Sequence, residues 1–142
     1  MVGYLVGAVL GVGVALFAAI AGFDRDRSFY PTVLIVVASY YGLFAIMGGS
    51  ATALGWETVG LAAFGCLAVI GFRTSQWLVV LGLAGHGLFD NVHGHLIANP
   101  GIPAWWPAFC MSIDIVLAGC LAGLLLWRVR TIGGESGLPP LP

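Results

Sequence analysis

His86-Gly-Leu-Phe-Asp90-Asn-Val-His93-Gly-His95 carries all three histidines of the chain. It lies inside an apolar stretch from Ser75 to about Ile97 that is long enough to cross a bilayer. Whether this stretch is a span decides the fold. An ionised side chain near the centre of a membrane helix costs about 2.5–3.5 kcal/mol on insertion scales. A segment that keeps His86, Asp90 and His93 together therefore points to use rather than accident.

The rest of the chain supports a membrane setting. Of 142 residues, 60% are hydrophobic and 8% charged, and mean hydropathy is +1.03. A soluble domain carries roughly 25% charged residues. Four further apolar stretches accompany the histidine segment, giving helices over about 2–22, 28–47, 51–72, 75–97 and 104–129. The expected fold is an all-α integral membrane protein, a compact bundle of five transmembrane helices in one domain over 1–130. An irregular cytoplasmic tail is expected over 131–142, where Gly and Pro recur.

Ser28 is the expected N-cap of the second helix, with Pro31 in its first turn. The first segment lacks a basic leader, and its apolar run exceeds that of a cleaved signal. It reads as a retained span.

The arginines test the count of five. All five basic residues are arginine. Arg25 and Arg27 lie after the first span, Arg73 after the third, and Arg128 and Arg130 after the fifth. Five spans put all of them on one side; four would divide them. The positive-inside rule then sets the N-terminus outside and the C-terminus inside. The expected location is a cell membrane, plasma or inner. Trp77 and Trp127 fall at the inner interface, and Trp56, Trp105 and Trp106 at the outer one.

Net charge is −1, which gives no signal for nucleic acid. Cys66, Cys110 and Cys120 form no CxxC pair, and they read as small buried hydrophobes rather than a disulfide or thiolate framework. Gly3, Gly7 and Gly11, and Gly119 and Gly123, form ridges that let helices approach closely. Packing within one bundle is the first reading of these ridges, and a homo-oligomer face the second.

With this topology, Glu57, His86, Asp90, His93 and Asp114 all fall in the outer half, on three helices. Tyr40 and Tyr41 add a fourth helix at comparable depth. His86, Asp90 and His93 are spaced i, i+4, i+7 and share one face. At 1.5 Å per residue, His86 and His93 are roughly 10 Å apart along the axis, so one ion cannot take both. Asp90 can pair with either, whereas His95 points away.

The expected function is binding or conversion of a small lipophilic or amphipathic molecule in this outward polar pocket, by acid–base chemistry. His86, Asp90, His93 and Asp114 are the candidate catalytic groups. Glu57, Tyr40, Tyr41 and Asn91 are the candidate ligand contacts. One alternative is a zinc, iron or manganese site drawing on His86, Asp90, His93 and Glu57, with Asp114 nearby. Another is a proton or cation pathway. The last is a structural subunit, in which Asp90 pairs with a histidine and Asp114 with Tyr40. Such contacts average about 0.6 kcal/mol in membranes, little against the cost of inserting five ionisable groups.

Overall fold

The computed structural model describes residues 1–135. Among them are five long α-helices, α1 (Val2–Ala21), α2 (Phe29–Met47), α3 (Ala51–Arg73), α4 (Gln76–Leu96) and α5 (Trp106–Glu135). A short 3-10 turn, Phe23–Arg25, follows α1. No strand occurs among the described residues. Helix α5 continues through the first five residues of the segment expected to be irregular. The rest of that tail, 136–142, lies outside the described residues.

Four helices, α1, α2, α3 and α5, are long and apolar enough to cross a membrane. Helix α4 is not among them, because Gln76, His86, Asp90, Asn91, His93 and His95 dilute its apolar residues. Its position resolves the conflict. It packs against α2, α3 and α5, and its face from Gln76 through Val79, Leu83, His86 and Asp90 to His93 is buried. Gln76, His86, Asp90 and His93 thus meet protein, while Asn91 and His95 lie exposed on other sides of the helix.

Helix α1 packs on α5 and on the 3-10 turn. Gly3, Gly7 and Gly11 make this contact possible: a Cβ on Gly7 would collide with Ser112 and with the Phe109 carbonyl. Gly119 and Gly123 face open space instead, so only the α1 ridge serves packing within the chain.

The loops tie the two ends of the bundle. At one end, Arg27 donates to the Thr74 carbonyl (3.1 Å), Gln76 to the Arg27 carbonyl (2.8 Å) and Arg128 to the Asp24 carbonyl (2.8 Å). Ser28 stands at the N-cap of α2 without a side-chain bond. Its backbone N–H instead donates to Asp26 at 3.1 Å, which holds that exposed carboxyl below its usual range. At the other end, Ser50 caps α3 by accepting from the Ala53 N–H (3.2 Å). Gly49 adopts φ +65° in the α2–α3 turn, a conformation favouring glycine. Gly101 of the α4–α5 loop lies on the Phe44 carbonyl and leaves no room for a side chain.

Between the ends, Leu34, Val79, Leu83, Leu117 and Leu121 are fully buried or nearly so and fill the half of the bundle nearer the arginines. Trp56, Trp77, Trp105 and Trp127 project outward. Trp106 does not: its ring packs against Tyr40, Phe44 and Phe109.

Candidate functional site

The middle of α4 supplies His86, Asp90 and His93, each at most 1% exposed. The spacing puts them on one buried face, and neighbouring elements bring partners to each. They form two clusters rather than one.

The deeper cluster joins α4 to α5. His86 Nδ1 lies 2.7 Å from Asp114 Oδ2 and 3.7 Å from Asp90 Oδ2. Cys110, one turn before Asp114 on α5, directs Sγ to within 3.9 Å of Asp114 Oδ2. One ligand atom from each of His86, Asp90, Cys110 and Asp114 fits within a mutual 4.8 Å. These are the residues that could hold a metal. Gly87 allows the two helices to come this close. A Cβ there would sit 3.0 Å from the Met111 carbonyl and 3.3 Å from Asp114 Cβ.

The second cluster lies nearer the α4–α5 loop. His93 Nε2 is 2.9 Å from Glu57 Oε1 of α3. Asn99, in the loop, donates to the same Glu57 oxygen (2.9 Å) and to the Tyr41 carbonyl (3.0 Å). Tyr41 connects the clusters. Its hydroxyl donates to Asp90 Oδ1 at 2.6 Å, and its ring stacks on His93 at 4.2 Å. Phe64 and Phe89 set ring edges against His86 and His93 respectively.

Some of this polarity is not used internally. Asp90 Oδ2, Asp114 Oδ1 and His93 Nδ1 are buried without a hydrogen-bond partner. A buried polar group without a partner costs about 1–3 kcal/mol, so three in one place call for an explanation.

Two cavities bear on access. One, of about 10 Å³, is lined by Tyr41, Glu57, Phe64, His86 and Phe89. That is no larger than one water-sized probe, so this cavity does not admit an organic molecule. The other is a cleft of about 660 Å³ under the α4–α5 loop, bounded by His93, Ile97, Asn99, Ile102, Pro103 and Pro107. It falls within the roughly 300–1,000 Å³ of small-molecule sites.

The structure brings together His86, Asp90, His93, Asp114, Glu57 and Tyr41 of the candidates read from sequence. It separates two others. Tyr40 is 37% exposed and packs on Trp106, because adjacent helical positions point in different directions. Asn91 is exposed on the far side of α4. Asp114 pairs with His86 rather than Tyr40. The four residues of the candidate ligand set do not gather at one point: His86 and Asp90 stand with Cys110 and Asp114, and His93 and Glu57 stand apart. Cys110 is buried, as expected, and in addition stands beside these groups; its i, i+4 spacing to Asp114 matches that of His86 to Asp90. Asn99 is the other residue not foreseen, a polar group in an otherwise apolar loop.

Compared with protein-family models, curated proteins and solved structures, the chain has no match.

Proposed function

We propose that all five helices cross the bilayer, with the N-terminus outside, and that the cleft beneath the α4–α5 loop takes a small amphipathic molecule from the outer side. Its polar end meets His93 and Asn99, both of which are held from behind by Glu57. What supports the orientation is that Arg27, in the α1–α2 connection, and Arg128, near the end of α5, gather at one end of the bundle, where positive charge belongs on the inner side. A central α4, shielded by α2, α3 and α5, can span despite its polar face.

One observation carries the reading of the site. His93 borders the cleft, is fully buried, and pairs one ring nitrogen with Glu57 while the other has no partner. A carboxylate on Nε2–H fixes the tautomer and leaves Nδ1 as a proton acceptor. That is the arrangement of a general base, with Glu57 orienting the ring. The aliphatic and proline walls suit the apolar part of the molecule. A proton or cation conduit fits less well, because Leu34, Val79, Leu83, Leu117 and Leu121 close the path toward the arginine end.

Binding of decanol, decanoic acid and decylamine to the full chain in nanodiscs tests this. At least one should bind saturably, and His93→Gln should weaken it about tenfold or more, equivalent to about 1.4 kcal/mol. Absence of saturable binding for all three, or equal binding by His93→Gln, would overturn the reading.

A further inference from the structure

We propose that His86, Asp90, Cys110 and Asp114 form a binding site for one divalent zinc-class ion, built across the α4–α5 contact. The site is distinct from the cleft reading above and does not depend on it.

The donor chemistry selects the ion. One imidazole, one thiol and two carboxyls are the mixed N, S and O donors that zinc accepts; Mg²⁺ and Ca²⁺ take oxygen ligands. The arrangement is two helical pairs, His86 with Asp90 and Cys110 with Asp114, each one turn apart and facing the other. With zinc–nitrogen and zinc–oxygen bonds of about 2.1 Å and zinc–sulfur of about 2.3 Å, tetrahedral ligands stand about 3.4–3.7 Å apart. The observed separations of 2.7, 3.7 and 3.9 Å bracket that edge. None of the six separations exceeds 4.8 Å, so side-chain adjustments without movement of the helices would complete the shell.

A second observation points to the same centre. Asp90 is 1% exposed, yet its Oδ2 has no hydrogen-bond partner. Asp90 Oδ2 is also the oxygen nearest His86 Nδ1. Two carboxylates gathered in an apolar interior repel one another, and a dication offsets that repulsion.

On binding, the Cys110 thiol proton is released to bulk water as the metal–sulfur bond forms, and His86 carries its proton on Nε2 while Nδ1 faces the ion. The Tyr41 hydroxyl, 2.6 Å from Asp90 Oδ1, holds the other oxygen of that ligand as an outer-shell hydrogen bond does. Glu57 and His93 lie outside the four-residue group, so they remain available to the cleft.

The test is metal content and spectroscopy of the full chain, purified in detergent after zinc-replete growth, with cobalt(II) exchanged for zinc in a parallel sample. Wild type should hold about one zinc per chain and, with cobalt, show a thiolate-to-metal charge-transfer band. Asp114→Asn should fall below about a tenth of an equivalent. Cys110→Ser, a near-isosteric change, should lose the charge-transfer band while remaining helical and monodisperse, which guards against simple misfolding. His93→Gln should keep the wild-type stoichiometry. Wild type holding less than about a tenth of an equivalent would overturn the proposal. So would a cobalt spectrum without the thiolate band, or Asp114→Asn retaining zinc at the wild-type level. No amphiphile enters this experiment, so its failure is separable from failure of the cleft reading.

Discussion

Tyr41 donates its hydroxyl to Asp90 Oδ1 at 2.6 Å while its ring lies 4.2 Å from that of His93, nearly parallel to it. One side chain on α2 thus supports both polar clusters of α4. Tyr41→Phe keeps the stacking and removes only the hydroxyl. Asp90 Oδ1 then joins Oδ2 as an unpartnered buried oxygen. The expected loss is about 1–3 kcal/mol of stability, read from denaturation in detergent followed by circular dichroism. A loss smaller than the error of the measurement would remove Tyr41 from its bridging role.

Asn99 anchors the α4–α5 loop through two donated hydrogen bonds, to Glu57 and to the Tyr41 carbonyl. Asn99→Ala should loosen that loop without unfolding the helices. Amide exchange over residues 97–105 should quicken several-fold, while exchange in the core of α2 is unchanged. Equal exchange in variant and wild type would show that the loop is held by other contacts, such as Gly101 on Phe44.

Gly87 is the closest glycine contact between α4 and α5 beside the polar clusters. Gly87→Ala places a methyl 3.0 Å from the Met111 carbonyl, which is tighter than ordinary contact. Overpacking of this kind costs about 1–3 kcal/mol. The expected result is lower thermal stability together with weaker zinc retention, since the two donor pairs are pushed apart. Gain of helix propensity without loss of stability would contradict the close-packed geometry.

The aliphatic plug predicts the behaviour of reconstituted protein. Leu34, Val79, Leu83, Leu117 and Leu121 are at most 1% exposed and carry no polar group. Liposomes containing the chain should leak protons no faster than protein-free liposomes under an imposed pH gradient. A flux above that background and abolished by Asp90→Asn would restore the conduit reading.

Much of this geometry is legible in the residues. The i, i+4, i+7 spacing of His86, Asp90 and His93 already states that they share a face, and axial rise already separates His86 from His93. The distribution of the arginines anticipates which loops meet at one end. What the spacing along α4 does not contain is the rotation of the other helices. Tyr40 and Tyr41 are adjacent in sequence, and only packing decides that Tyr41 turns inward and Tyr40 toward Trp106. Cys110 is apolar by default, and its place beside His86 and Asp90 follows only when α5 is set against α4 through Gly87. Asn99 becomes a site residue because the loop folds back over the end of α2, a tertiary contact with no local sequence period.

The most direct measurement of an outward-opening polar site is sided thiol labelling. In a Cys66→Ser background, Ala98→Cys lies in the α4–α5 loop and Thr74→Cys in the α3–α4 connection at the opposite end. With a membrane-impermeant maleimide on intact cells, Ala98→Cys should label and Thr74→Cys should label only after permeabilisation. Labelled Ala98→Cys should also lose its amphiphile binding, because the adduct occupies the wall of the cleft. Thr74→Cys labelling on intact cells while Ala98→Cys stays silent, or full labelling of Ala98→Cys with binding unchanged, would contradict the account.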